Sequence, residues 1–270
     1  MPVRLLTRLI ALLGLSSSVA FAEPPVERVV SLDYCADQFV LQLLPRESIL
    51  ALSPDATSDF SYLRDKAEGL PVVRSTAEDV LSIEPAVVVR SYGGGPKAAQ
   101  FFERAGVRVI QVPFGNDIAG IRTTIDHLAN ELGVPDTGQA LIAEMDLRLE
   151  RIQTDGKRRK ALYMTPTGVT SGPGTLVHEM LTAAGVDNFQ ERAGWRSLPL
   201  ERLAYESPDV VVAAFFDASQ DHPGMWSAMR HPIARKQIGE RPTASIQGAW
   251  TACGAWFLLD AIEAIAAVAQ

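Results

Sequence analysis

The sequence predicts an α/β protein of two Rossmann-like lobes joined by a long rigid helical connector. Three observations carry that expectation. Short β-branched runs alternate with helically spaced segments in both halves of the chain, residues 117–153 are helical almost throughout, and one helix–proline–strand pattern occurs once in each half.

In the first half, residues 28–32 form a β-branched run and residues 34–44 follow with helical spacing. Residues 48–52 make a second short apolar segment, ended by Pro54, and 71–73 a third. Ser75 and Thr76 precede Glu78 and Asp79, a helix entry with acids in its first turn. That helix must stop before Pro85. Residues 86–90 read as a buried parallel strand, Tyr92 and the glycines 93–95 as a tight turn at a crevice edge, 96–105 as a helix ended by Gly106, and 107–112 as a strand.

Residues 117–153 change character. Ile118, Ile121, Ile125, Leu128 and Leu132 repeat at helical spacing, and after a break at 133–138 the stripe resumes with Leu141, Met145, Leu149 and Ile152. A helical connector is stiffer than a loop and would confine the lobes to small tilts. Beyond the basic cluster 157–160, which reads as the solvated end of a helix, the α/β rhythm returns. Strands are expected at 161–165, 209–215 and 245–246, a turn at 171–174, and helices at 175–184, 223–229 and 256–269. The domain organisation is thus residues 23–116, a connector at 117–153, and residues 154–270.

The internal echo pairs Glu78, Pro85 and the strand after it with Glu201, Pro208 and the strand after that. Each acid precedes its proline by seven positions. In a parallel sheet the acids are expected near the amino ends of the strands, either favouring their own helices or serving as one exposed docking charge per lobe.

The 270 residues, 47% of them apolar, suffice for one large domain or two small ones, and the net charge of −7 opposes general nucleic-acid binding. Residues 1–22 have the form of a secretory signal peptide: Arg4 and Arg8, an apolar run, then Ala20 and Ala22 at the positions a signal peptidase reads. Cleavage after Ala22 would yield an exported, soluble chain. In that compartment Cys35 and Cys253, 218 positions apart, are candidates for a disulfide; two free buried thiols or a soft-metal pair are the alternatives.

No nucleophile elbow, zinc-protease motif, Walker loop or dinucleotide fingerprint occurs, and the four histidines have no metal-site spacing. The chain therefore reads as a non-enzyme with neither cofactor nor protein-held metal. Aromatic and polar residues instead follow strand ends, where an α/β crevice lies: Asp33, Tyr34, Tyr92 and Ser171, with Trp195, Phe216, Trp226 and Trp250 in or beside loops. Such side chains suit a bulky planar or macrocyclic ligand held between the lobes. Asp33 could accept ligand amide hydrogens or simply start a helix.

Four segments (28–37, 78–89, 170–175 and 198–212) resemble, in order and spacing, the periplasmic substrate-binding proteins that serve iron-siderophore, haem and cobalamin importers of the ATP-binding-cassette type. The resemblance implies two α/β lobes joined by a long helix and a monomer that delivers its cargo to a permease dimer in the inner membrane. It also implies that Glu78 and Glu201 dock onto permease arginines. Where relatives have Pro-Asp before the fourth strand, this chain has Pro85-Ala86, while Pro208-Asp209 keeps the pair. Among cargoes the resemblance favours cobalamin or a related corrinoid, ahead of a ferric siderophore or haem. An exported module that recognises another envelope protein is the alternative of a different kind.

Overall fold

The computed structural model describes residues 28–152, 156–216 and 227–270. The signal-peptide reading, Trp226 and most of the helix expected at 223–229 lie outside these residues. None of the described helices is long and apolar enough to cross a membrane.

The N-terminal lobe runs β1 (Val29–Ser31), α1 (Tyr34–Leu43), β2 (Ile49–Ala51), α2 (Arg64–Ala67), α3 (Ala77–Ser82), β3 (Val87–Arg90), α4 (Ala98–Arg104) and β4 (Arg108–Gln111). Its sheet is wholly parallel in the order β2-β1-β3-β4, with Val29 opposite Val87 and Val88 opposite Val109. Alternation along these strands feeds two cores. Val29, Val87 and Val89 face a cluster shared with the other lobe, whereas Val30 and Val88 face a local one closed by Phe102.

The connector is helical with a break near Gly133, as its spacing predicts, but its two helices fold back on one another. Helices α5 (Ile118–Glu131) and α6 (Pro135–Glu150) are separated by a turn in which Gly133 takes φ 71°, and Pro135 starts α6 at its first position. The two pack antiparallel: Arg122 pairs with Asp146, Gln139 donates to Asp126, and a Cβ on Gly138 would come within 2.3 Å of the Ala129 Cβ. Helix α5 therefore folds onto the N-terminal lobe, where Arg108 of β4 donates to the Glu131 carbonyl, and α6 alone makes the crossing.

Beyond it come β5 (Lys160–Met164), β6 (Val169–Ser171), α7 (Leu176–Ala183), β7 (Asp187–Asn188), β8 (Trp195–Ser197), α8 (Leu200–Leu203), β9 (Val210–Ala214), α9 (Pro232–Glu240), β10 (Thr243–Ile246) and α10 (Leu258–Val268). The second sheet is parallel in the order β10-β9-β5-β7, and β6 pairs with β8 as an antiparallel ribbon. That ribbon occupies positions read from the sequence as turn and loop, and α9 was not foreseen. Only the end of the helix expected at 223–229 is described, and Ala228–Arg230 there form a single 3-10 turn.

The lobes share more than α6. One apolar cluster contains Phe39 of α1 and Trp256, whose rings meet edge-on at 5.6 Å. Tyr62 stacks on Phe257 at 4.5 Å and donates to Asp260 at 2.7 Å, while Arg148 of α6 holds the same carboxylate at 2.6 Å. Burial and the Asp260 carboxylate push the Tyr62 hydroxyl up to about 12. Cys35 and Cys253 are bonded, tying α1 to the segment before α10.

Candidate ligand cleft between the lobes

The carboxyl ends of the strands in both sheets converge on one cavity of 770 Å³. From the N-terminal lobe come Tyr34, just past β1, Ser91 after β3 and residues 112–116 after β4. The C-terminal lobe adds the start of α7, Trp195 and Phe215, and residues 251–254 complete the lining with the disulfide among them. This is where open parallel sheets place ligands, because loops leaving the carboxyl ends are free of the covering helices.

The described walls are aromatic. Tyr34, Phe39, Phe60, Phe114, Tyr163, Trp195 and Phe215 line the cavity together with backbone at four glycines, and among the described residues none that lines it is charged. Polar contacts come from Ser91, Asn116, Thr175 and Thr251. The Thr251 hydroxyl is buried with no hydrogen-bond partner among the described residues. Burial, reinforced by the charges of Asp33 and Asp55, raises the Tyr34 hydroxyl above its ordinary value, and burial alone does the same for Tyr163. Both phenols are therefore protonated, and the Tyr34 hydroxyl donates to the Ala252 carbonyl at 3.4 Å. Among the described residues no cluster of histidine, cysteine or carboxylate has the make-up to hold a metal ion.

Of the residues singled out in the sequence, Tyr34 and Trp195 line the cavity. Tyr92 does not; it stands beside Tyr34 with ring centroids 6.1 Å apart, and burial raises its hydroxyl too. Asp33 faces inward and is only 3% exposed. One of its oxygens caps α1 through Ala36 N–H at 3.0 Å, and the other accepts the backbone N–H groups of Ser91, Tyr92 and Gly93 at 2.7–3.0 Å. Its acceptors are consumed by the loop they shape, so the ligand-amide role gives way to the helix-start one. Gly93 completes that loop, since a Cβ there would fall 2.2 Å from the Leu32 carbonyl oxygen.

Ser171 is likewise fully buried, its hydroxyl 2.7 Å from that of Thr175, and it is Thr175 that reaches the cleft. Trp250 packs against the shared core, and Thr251 to Cys253 take the wall position instead. Phe216 turns to the local core of its lobe while Phe215 enters the cleft. Alternation along β9 sends Val210, Val212 and Ala214 to the shared core, so position 216 would have followed them. Phe215 adopts a left-handed φ of 64° and inverts the alternation at that point. Phe114 was missed although it too follows a strand end. Phe60 lies in a loop with no periodic signal.

Glu78 and Glu201 are exposed and have no ionic or hydrogen-bonded side-chain partner among the described residues. Contrary to the expected placement, α3 begins at the carboxyl edge of its sheet: the Ser75 hydroxyl donates to the Leu32 carbonyl just past β1. Helix α8 follows the β6–β8 ribbon, whose Trp195 lines the cleft. Glu78 therefore stands on the cleft side of its lobe, whereas Glu201 lines a separate hollow with Arg196 and with Lys160, at the amino end of β5.

Three comparisons bear on this geometry. A family model described as "Periplasmic binding protein" matches residues 29–222. A protein named cobalamin-binding protein from Halobacterium salinarum is 26% identical over 200 residues, which cover 69% of this chain and 53% of that one. The chain thus spans about half the length of the curated relatives it matches. Among solved structures, the apo periplasmic haem-binding protein of Roseiflexus sp. RS-1 superposes with a TM-score of 0.69 at 20% identity, covering 90% of this chain and 99% of its own. The periplasmic vitamin B12-binding protein of Vibrio cholerae gives 0.64 at 18%, covering 91% and 97%. At these identities the structural likeness is one of fold.

Proposed function

The chain belongs to the periplasmic binding protein family, and on that premise we propose that it captures a large preassembled metal complex, cobalamin or a related corrinoid, and hands it to an ATP-binding-cassette permease. The observation that carries the reading is the cleft itself: 770 Å³, walled by aromatic rings and bare glycine backbone, with no charged side chain among the described residues that line it. A corrinoid brings its metal already coordinated and an edge rich in neutral amides. It needs flat apolar walls and a few hydroxyl, amide and carbonyl partners, which this cleft supplies. A cargo bearing several carboxylates would lack counter-charges here, which weighs against haem and the anionic ferric siderophores. The name of the halobacterial relative points the same way.

Delivery would use Glu78 and Glu201, one exposed acid on each lobe, against a basic permease surface. Export to the periplasm and a monomeric carrier belong to the same reading. Isothermal titration of the chain lacking residues 1–22 with cyanocobalamin, haem and a ferric siderophore tests the cargo. Saturable one-to-one binding of cyanocobalamin alone is expected. Haem or the siderophore binding in its place would reassign the cargo, and no binding of any of the three would remove the uptake reading.

A further inference from the structure

Residues 251–254 form one wall of the cleft without belonging to a helix or a strand. They follow the 3-10 turn at Gly248–Trp250 and lead into α10, so they belong to the C-terminal lobe. The Thr251 N–H still closes that turn, but the N–H groups of Ala252, Cys253 and Gly254 make no hydrogen bond among the described residues. Apart from apolar packing, these three residues are fastened to the other lobe. The Tyr34 hydroxyl reaches the Ala252 carbonyl at 3.4 Å, which is long for such a bond. Gly254 lies against Gly115, whose carbonyl oxygen a Cβ at position 254 would meet at 2.7 Å. The bond from Cys253 to Cys35 of α1 is the one covalent fastening. Both cysteines line the cavity, at 7% and 8% exposure, so an empty cleft admits a small thiol to the bridge and a seated cargo covers it.

We propose that the Cys35–Cys253 bridge is a redox-sensitive fastening of the cargo wall: the oxidised chain holds its cargo tightly, and a dithiol that opens the bridge lowers the affinity. The inference rests on the uptake reading above. One thiolate of the dithiol attacks a bridge sulfur and expels the other as a thiolate. The second thiolate then displaces the protein sulfur, so the dithiol leaves as its own disulfide and the chain keeps two thiols. The lobes stay together through their shared core and the Tyr62–Asp260–Arg148 contacts, which confines the loosening to the wall. Cargo must then order residues 251–254 as it binds, and that cost subtracts from its affinity. The coupling is reciprocal: the factor by which reduction weakens cargo is the factor by which cargo opposes reduction.

Isothermal titration with cyanocobalamin, before and after treatment of the chain with dithiothreitol, tests the assignment. The reduced chain is expected to bind about tenfold more weakly while its circular dichroism stays native. In glutathione redox buffers, cyanocobalamin that saturates both forms should shift the ratio of reduced to oxidised bridge by the same factor, read by thiol alkylation and mass. The double variant Cys35→Ala with Cys253→Ala repeats the comparison without a thiol that could act on the cargo's cobalt, and should match the reduced chain. Equal affinities of the oxidised chain and the double variant, or a redox ratio that cargo does not move, would overturn the device while leaving the uptake reading in place. So would loss of the native spectrum on reduction, which would make the bridge a staple of the whole fold. Absence of binding by the oxidised chain would overturn both.

Discussion

Asp37 offers a sharp test of how the N-terminal lobe is held together. It lies fully buried in the first turn of α1, where it accepts the Ser53 N–H at 3.1 Å and the Ser53 hydroxyl at 2.6 Å. Next to it Gln38 receives the Leu63 N–H and donates to Ser61, so the pair anchors both ends of the loop that carries Phe60 into the cleft. Burial is the dominant influence on Asp37 and, against the opposing Ser53 and Ser31 hydrogen bonds, pushes its carboxyl up to about 6 from an ordinary 3.8. The native state therefore holds a proton that the unfolded chain has released between these values, so stability falls as pH rises through the window. The full cost above pH 7 is about 3 kcal/mol, and about 2 kcal/mol of it is relieved by pH 4.5.

The perturbation is Asp37→Asn, which keeps an acceptor for the Ser53 N–H and removes the charge. Urea unfolding of both proteins, followed by tryptophan fluorescence at pH 4.5 and 7.5 (test conditions on either side of the shifted value), isolates this one group, because every other titration cancels in the difference. The variant's advantage at the higher pH is expected to shrink by about 2 kcal/mol at the lower. A difference that does not change with pH would show that Asp37 does not titrate in this window. One that grows on acidification would show that the Ser53 hydrogen bonds outweigh burial.

Three further outcomes follow from named contacts. Tyr62→Phe keeps the stack on Phe257 but removes the 2.7 Å bond to Asp260, and denaturant titration should show a loss of about 1.5–3 kcal/mol. Replacing Cys35 and Cys253 together by alanine releases a bridge spanning 218 positions, for which loop entropy gives about 5 kcal/mol, read as a lower unfolding midpoint that reductant no longer affects. Reversing Glu78 and Glu201 to lysine should abolish stimulation of a reconstituted permease while cyanocobalamin affinity stays within about twofold; a collapse of ligand affinity would remove their docking role.

The fold class was legible in the sequence because its signals are local. The β-branched runs at 28–32, 86–90 and 209–215, the helix entries at Asp33, Thr76 and Thr175, and the stop at Gly106 each act within a few residues of themselves. Strand ends, in turn, pointed to Tyr34 as a wall of the cleft. The antiparallel fold of α5 on α6 was not legible, since a helical stripe states which face is apolar and not what it meets.

The same holds for the site. That Asp33 is used up by three backbone N–H groups nearly sixty residues away, and that Phe215 rather than Phe216 enters the cleft, are decided by loop closure and by one left-handed residue. The bond between Cys35 and Cys253 likewise depends on a Cα separation of 5.7 Å that only the packed lobes produce. Sequence alone determined the alternation of elements, the strand ends from which the cleft is built and the absence of catalytic motifs. Which rings face one another there was left to tertiary packing, because a side chain's direction depends on partners distant along the chain.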